Sequence, residues 1–584
     1  MINFNTNNIF TNKKDFSIIA LSAVIGLFCG FISMGFREVV LFVQSFAYNG
    51  DNQNFVVLVE DMPFYQLLAV TTGGGFLVGL IGKYFLVSNR SQGMTEVVEV
   101  ALKKGKHITM KSTFFSMLVN IITLGTGGSA GREGPVVHLT SGVSTYILDK
   151  LSITGQDKKT LLGCAAAAAV GSSFNAPIAG VFLAAELITG SYSMVRFVPV
   201  VIASISGTFL THLVYGDFPA FIVLNTGKIG LGEIPTFIIL GMLSALVASS
   251  FIRGVDVVFN FAKKNKIPLI LCPAIGGFLV GIIALIFPEV LGVGYFATDM
   301  AIAEQITFIM LLLLLLAKIL ATILTLGFGS GGGVFSPALF LGAMLGGAYA
   351  MTIRMFVDLF NLDITISYTA YALAGMGAVA GAVLGAPVST VFMIFELSGN
   401  YSLTLSVLVA TVVSARTMQG MNVKSFFTWQ LKNRGVDVEG GAENIAMREV
   451  FVNSLMKTDY TIVGTNATLS DVKIALQKDK IGDIFVVDDN GILLGDVCLY
   501  TLADYAFDST NDNSIKAIDV ADLDTERVVD TDTLEDTLTH YRVGGETTIA
   551  VVNETGVLIG ILHENDVLLA YKNIIMETRE EGRL

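Results

Sequence analysis

The chain has 584 residues, 53% of them hydrophobic and only 15% charged, with a formal net charge of −13 and a mean hydropathy of +0.68. A soluble protein carries about 25% charged residues, so this much apolar side chain cannot all be core, and a polytopic membrane protein is implied. The negative balance excludes nucleic acid as a partner.

Four cysteines, Cys29, Cys164, Cys272 and Cys498, lie far apart and form no CxxC pair, and the five histidines show no metal-ligand spacing, so no metal site is expected. The first sixteen residues are mostly polar and show no cleavable leader. Lys13 and Lys14 precede the first apolar run, which predicts a cytoplasmic N-terminus.

In chain order, charge-free apolar stretches fall at Ser17–Phe36, Pro63–Gly82, Ser112–Gly131, Thr160–Ala185, Pro235–Ile252, Pro268–Pro288, Ile319–Ala350, Ile364–Phe395 and Leu397–Ala415. About 20 apolar residues suffice to cross a bilayer. Several stretches are interrupted by glycine and proline, as in helices broken at membrane depth. After about Gly435 charges become frequent and no stretch reaches membrane length. The predicted organisation is a cytoplasmic segment at 1–15, a membrane domain at 16–435 with halves at 16–214 and 233–432, and a linker at 436–452. A cytoplasmic α/β tail follows at 453–584, with repeats at 453–510 and 517–575.

Both parts are duplicated. Leu124–Pro135 (LGTGGSAGREGP) resembles Leu326–Pro337 (LGFGSGGGVFSP) at an offset of 337 − 135 = 202. Ala176-Pro177 through Glu186-Leu187 resembles Ala386-Pro387 through Glu396-Leu397 at an offset of 387 − 177 = 210, and Tyr192-Ser193 and Tyr401-Ser402 follow. In the tail, Ile484–Gly495 resembles Ile549–Gly560 at an offset of 549 − 484 = 65, and each copy reads as helix, strand, turn, strand, helix. Duplicated halves with interrupted helices place a binding site at the repeat interface, near the midplane.

Gly131-Arg132-Glu133-Gly134-Pro135 is the sharpest motif. An ionisable residue at membrane depth is a functional candidate, because burying its charge costs several kcal/mol. Flanking glycines let backbone amides converge, and the helix opened at Pro135 turns its positive end to the same point, which makes an anion site. Glu133 is itself an anion able to occupy that site, and protonation would release it. The bland alternative is a structural Arg132–Glu133 ion pair. In the second copy Phe335 replaces Glu133, and the amides of Val334 and Phe335 are expected to complete the site. Glu186 and Glu396 are expected to cap or brace helix ends. Gly127–Gly131 also matches the G-x-S-x-G pattern of hydrolases around Ser129. His138 is the nearest histidine, roughly two to three turns away, and no strand precedes the motif.

Together GREGP at Gly131–Pro135, the Gly333–Pro337 segment, FNAPIAGVFLAAE at Phe174–Glu186 and FELSGNY at Phe395–Tyr401 resemble the CLC family of chloride channels and chloride/proton exchangers, over roughly residues 15–435. The tail is similar to paired CBS domains. The resemblance implies a polytopic all-α membrane fold of about 18 helical segments in two inverted-topology halves, followed by a soluble α/β tandem CBS domain. It implies a homodimer in the cell (inner) membrane, with a pore in each subunit, moving chloride or a similar small anion. Glu133 takes the place of the gating and proton-carrying glutamate. The anion-binding set becomes Gln92, Gly93, Gly131, Arg132, Gly134, Val334, Phe335 and Phe427.

Three positions depart from the family pattern. Gln92 stands for a coordinating serine, Phe427 for a tyrosine, and Leu187 for the internal proton-transfer glutamate of exchangers. In the tail Asp566 fits a ribose-binding aspartate, with Thr501 (566 − 65 = 501) as its counterpart, so a regulatory adenine nucleotide is the one cofactor in view. Proton-coupled antiport is the reading, with a passive voltage- or pH-gated anion channel as its alternative. The alternatives of another class are a CBS-regulated cation transporter, for which only Glu133, Glu186 and Glu396 offer carboxylates at depth, and the Ser129 hydrolase. No enzymatic activity is expected.

Overall fold

The computed structural model describes residues 13–583, apart from 51–53, 61, 87–89, 103–106, 154, 191–193, 217–220, 222–230, 362–365, 437–440, 449, 479–481, 500, 506–511 and 539–547. Tyr192-Ser193, the tail end of one repeat match, lies outside the described residues. The chain divides into two compact units, Met1–Val436 and Asp437–Leu584.

In lipid a backbone satisfies its polar groups internally, so apolar runs become helices. Among the described residues the first unit has 18 α-helices between Lys13 and Asn433. Seven spans are long and apolar enough to cross a membrane: Phe16–Tyr48, Phe64–Phe85, Arg196–Tyr215, Ile234–Lys264, Phe308–Gly327, Phe335–Leu359 and Leu403–Gly420. Shorter apolar helices, such as Pro177–Thr189 and Pro387–Ser398, lie between them. The broken stretches break where glycine and proline foretold. Ile319–Ala350 is split between helices Phe308–Gly327 and Phe335–Leu359, and Thr160–Ala185 between Gly155–Phe174 and the helix opened by Pro177.

The first charge-free stretch, Ser17–Phe36, is part of a longer helix that runs Lys13–Tyr48, 36 residues. That is about 54 Å at 1.5 Å per residue, well beyond a hydrocarbon core of about 30 Å. Its charged continuation is held by partners, Arg37 stacking over Tyr215 at 4.5 Å and Glu38 accepting the Tyr215 hydroxyl at 2.6 Å. Elsewhere small residues bring backbones into contact: a Cβ on Gly342 would lie 2.3 Å from the Gly375 carbonyl oxygen of the next helix, Tyr368–Leu384.

The second unit holds two three-stranded sheets of identical topology. In one, β1 (Thr461–Gly464) pairs parallel with β2 (Asp483–Val487), and β2 antiparallel with β3 (Leu493–Cys498). In the other, β4 (Arg527–Val529) pairs parallel with β5 (Thr548–Val552), and β5 antiparallel with β6 (Leu558–His563). The short leading strands β1 and β4 escaped the repeat pattern. Phe485, Val487 and Leu493 of one copy share a core with Ala550, Val552, Leu558 and Ile561 of the other. Within the expected linker 436–452, residues 441–448 form a helix. Helix Gly441–Arg448 buries Met447 in the tail's second core and pairs Arg448 with Glu535.

Candidate functional site

The two duplicated helix starts meet. The Gly131 N–H donates to the Gly333 carbonyl and the Gly333 N–H to the Gly131 carbonyl, both at 2.7 Å, an isolated antiparallel bridge. Beside it, the Ser129 N–H donates to Thr325 Oγ1 at 3.1 Å, and the Gly331 N–H to Thr123 Oγ1 at 3.1 Å. Since 325 − 123 and 331 − 129 both equal 202, these are one bond made twice, once by each half. The crossing needs glycine. Gly332 has φ +130°, and a Cβ there would lie 2.2 Å from the Ala130 Cβ. The bridge also corrects one assignment: Gly131 spends its amide on Gly333, so it cannot also donate to an anion.

Helices Glu133–Lys150 and Phe335–Leu359 start immediately after the bridge. Their first-turn amides have no carbonyl behind them, as at any helix start. The Glu133 side chain, 2% exposed, folds back over Gly131, with Oε2 lying 2.6 Å from where a Gly131 Cβ would be. Oε1 accepts the Ser336 hydroxyl at 2.6 Å and the Tyr295 hydroxyl at 3.0 Å. Arg132 Nε stands 4.0 Å from the same oxygen. Hydroxyls rather than an ion pair therefore hold the carboxylate, while Arg132 stacks over the Tyr295 ring at 5.2 Å and reaches the Ser173 carbonyl at 3.3 Å.

Glu133 stands between two cavities. One, of about 450 Å³, is lined by Arg37, Arg132, Phe174, Gly294 and Tyr295. The other, of about 310 Å³, is lined by Gln92, Glu133, Gly134, Val334, Phe335 and Phe427. The bonded Glu133–Tyr295 pair separates them, as do the Phe174 and Phe335 rings with centroids 4.9 Å apart. Two recessed chambers divided by one buried carboxylate, with unsatisfied helix-start amides on its wall, suit the passage of a small anion past a removable plug.

Most of the anticipated site residues converge on the second cavity: Gln92, Gly93, Gly134, Val334, Phe335 and Phe427 all line it, whereas Arg132 lines the first. Gln92 is 8% exposed. Its N–H donates to Ser116 Oγ at 2.9 Å, and its Nε2 reaches the Arg90 carbonyl at 3.4 Å, so part of its donor capacity is already used. Leu187 sits in a π-helical turn, Ala185–Thr189.

Tyr295 and Ser336 were missed from sequence. Ser336 lies within the Gly333–Pro337 segment but aligns with Gly134 (336 − 202 = 134), which has no side chain to suggest a role. Tyr295 follows Gly294, whose left-handed φ of +84° starts a new helix, and that Gly-Tyr step was the available signal.

Glu186 and Glu396 do cap helices, but across the halves. Glu186 accepts the N–H groups of Val388 and Ser389 at 2.9 and 2.8 Å. Glu396 accepts those of Ile178 and Ala179, both at 2.8 Å. The hydrolase reading is overturned. Ser129 is fully buried, its hydroxyl bonded to Thr322 at 2.9 Å, and His138 is bonded to Glu96 at 2.6 Å instead. In the tail, Thr501 spends its hydroxyl on the Cys498 backbone at 2.9 and 3.0 Å, and Asp566 pairs with Lys457 at 2.6 Å.

Comparison with known proteins agrees with this geometry. The family model for voltage gated chloride channels matches residues 74–419, and that for the CBS domain matches 452–508. A putative chloride channel protein ClcB-like from Ralstonia nicotianae is 26% identical, over 71% of this chain and 97% of its own length. Chloride channel protein CLC-e of Arabidopsis thaliana is 26% identical, over 84% and 76%. An H(+)/Cl(-) exchange transporter ClcA of Citrobacter koseri is 28% identical, over 71% and 88%. Among solved structures, a slow cyanobacterial Cl-/H+ antiporter shares the fold with a TM-score of 0.64 at 23% identity, covering 71% of this chain and 97% of that one. A eukaryotic CLC transporter does so with a TM-score of 0.63 at 17% identity, covering 94% and 97%. The chain belongs to the voltage gated chloride channel family.

Proposed function

We propose that this family member carries chloride or a similar small anion across the membrane in exchange for protons, with Glu133 as the gate and proton carrier. The observation that carries the reading is the buried Glu133 carboxylate between the two cavities, held by the Ser336 and Tyr295 hydroxyls over a helix start. A carboxylate there occupies the place of a transported anion. On taking a proton it no longer competes for the positive end of the helix, leaves, and opens the way between the chambers. The relatives named as H(+)/Cl(-) exchangers support the same reading.

The reading makes the protein a transporter rather than an enzyme, multi-pass in the cell membrane and dimeric. Lys150, Lys158 and Lys159 would face the cytoplasm with both termini. In the tail, an adenine nucleotide at Asp566 would have to displace Lys457, so the part proposed for the paired repeats is first to hold together as one regulatory unit.

The test uses purified protein in liposomes, with a chloride gradient and the voltage held near zero. Internal pH and chloride efflux are followed together, for wild type and Glu133→Gln. Uphill proton movement in wild type, lost in the variant, is the expected result. Chloride efflux without proton movement in wild type would instead establish a passive channel, a reading that the leucine at 187 favours. Absence of flux for chloride and for other small anions, or flux of cations, would overturn the proposal.

A further inference from the structure

The membrane domain holds a second buried acid–base pair that gating by Glu133 does not use. Glu96 Oε2 lies 2.6 Å from His138 Nε2, with the side chains 12% and 1% exposed. Burying such a pair costs desolvation energy that apolar residues would not incur, and its position relates it to the gate. His138 is on the helix that Glu133 opens, five residues on, a rise of about 7.5 Å. It directly follows Val137, which lines the second cavity together with Gly134 and Glu133. Glu96 is in the first turn of helix Met94–Leu102, whose Met94 and Thr95 line the same cavity.

We propose that Glu96–His138 is a proton relay station, passing protons between Glu133 and the face of the protein that bears Lys150. The proposal rests on the proton-exchange reading above. Helix Glu133–Lys150 runs on from His138 to end at Lys150, and helix Met94–Leu102 runs on from Glu96 to end at Leu102. One turn beyond Glu96 is Glu99, 4% exposed, 3.4 Å from Arg434 Nη1, and Arg434 lines the cavity and is 29% exposed. Beyond His138 at helical spacing come the Ser141 and Thr145 hydroxyls, both fully buried and without a protein partner. That is unused hydrogen-bonding capacity of the kind water takes up.

Other groups are less suited. Glu186 and Glu396 each have both oxygens taken by backbone N–H groups. The turn Ala185–Thr189, packed against helix Met94–Leu102, adds Leu187 and Ile188. Of the elements packed on helix Glu133–Lys150, Met110–Gly125 carries Lys111 at its exposed start, and Gly155–Phe174 carries Asp157, Lys158 and Lys159 in its first turns and buried Cys164. Lys13–Tyr48 contributes Cys29 against Ser144, and Arg37 and Glu38 at its far end. The second helix start, Phe335–Leu359, has Arg354 and Asp358 only near its opposite end.

The step balances. An O–H bond of a hydronium on the Lys150 side breaks, leaving water, as an N–H bond forms on His138, and the Glu96 carboxylate offsets the imidazolium charge. That N–H then breaks, the proton passes through cavity water to a Glu133 oxygen, and the pair returns to its starting charge.

The experiment measures proton movement per chloride in the same liposomes for wild type, His138→Gln, Glu96→Gln and Glu96→Asp. Glutamine at 138 still donates a hydrogen bond to Glu96 but cannot carry a proton, so a merely structural role would survive it. The expected result is a fall in the proton-to-chloride ratio of about tenfold or more in His138→Gln, with chloride efflux persisting, and partial recovery in Glu96→Asp relative to Glu96→Gln. If His138→Gln carries no chloride, Glu96→Gln decides, since it leaves an acceptor for His138 and removes only the carboxylate. An unchanged ratio in both glutamine variants, with wild type pumping, overturns the relay and leaves the exchange reading intact. No uphill protons in wild type overturns the exchange reading, and the relay with it.

Discussion

The membrane unit and the tail are joined along their internal seams by the same device, and they use it for different ends. In the membrane unit Gly131 and Gly333 exchange backbone hydrogen bonds. In the tail the Leu493 N–H donates to the Gly556 carbonyl at 3.1 Å, and the Leu558 N–H to the Gly491 carbonyl at 3.0 Å, again one bond made twice, since 556 − 491 and 558 − 493 both equal 65. Around the tail seam both copies supply apolar side chains. Around the membrane seam the copies differ in chemistry, above all where Glu133 in the first half stands in the place that Phe335 fills in the second. Duplication supplies a scaffold with paired helix starts, and chemistry enters where the copies differ.

The comparison breaks most sharply if that difference is moved. Exchanging the residues, Glu133→Phe with Phe335→Glu, should abolish coupled proton movement, because the new carboxylate is no longer placed to meet Ser336 and Tyr295. Phe335→Glu alone should slow chloride efflux by about tenfold or more, since a second buried anion would compete for the same helix-start amides. Efflux and internal pH in liposomes check both.

The next effect is smaller. Ser336→Ala and Tyr295→Phe each remove one hydrogen bond to the charged Glu133 oxygen, worth about 1.5–3 kcal/mol. Each should favour the open gate and raise chloride flux severalfold, because the carboxylate loses a partner that held it in place. Chloride efflux from liposomes reads this, and an unchanged rate in both variants would remove the two hydroxyls from the gate.

Glu186→Gln and Glu396→Gln sharpen the symmetry itself. Each caps two amides of the other half, so each should cost about 1 kcal/mol, and the two by similar amounts. Thermal unfolding in detergent compares them, and strongly unequal losses would mean that the caps are equivalent in geometry only.

The smallest effect belongs to the tail. Burial raises the Asp496 carboxyl above the ordinary value, against the Thr525 hydroxyl bond at 2.5 Å, which lowers it. The folded tail therefore keeps that proton over a range where the unfolded chain has lost it. The penalty is absent below the ordinary carboxylate range and grows as pH rises through the folded value. Asp496→Asn should flatten this dependence in full-length protein, as read by tail unfolding on either side of the carboxylate range.

Much of this was legible because duplication marks positions twice. The offsets of 202 and 210 found both helix starts and both capping glutamates, and the offset of 65 found the strand pairs of the tail. What sequence did not yield depended on partners from unrelated segments. Tyr295 reaches Glu133 across 162 residues and has no titratable counterpart in the first half. The long first helix depended on Tyr215 to accommodate Arg37 and Glu38, and helix Gly441–Arg448 on Glu535. The cross-half direction of the glutamate caps follows only from how the halves pack, which a repeat offset does not encode.

Those caps also bear on the order of synthesis. The first half leaves the ribosome with the Glu186 carboxylate and the Gly131 carbonyl waiting for groups encoded about 200 residues later, on the order of tens of seconds at ordinary translation rates. Until then the nascent first half carries an unsatisfied charge in a membrane setting and cannot be a finished intermediate. Insertion of this chain should thus be all-or-none at the level of the pair of halves, and a truncation after the first half should be recognised and cleared rather than stored.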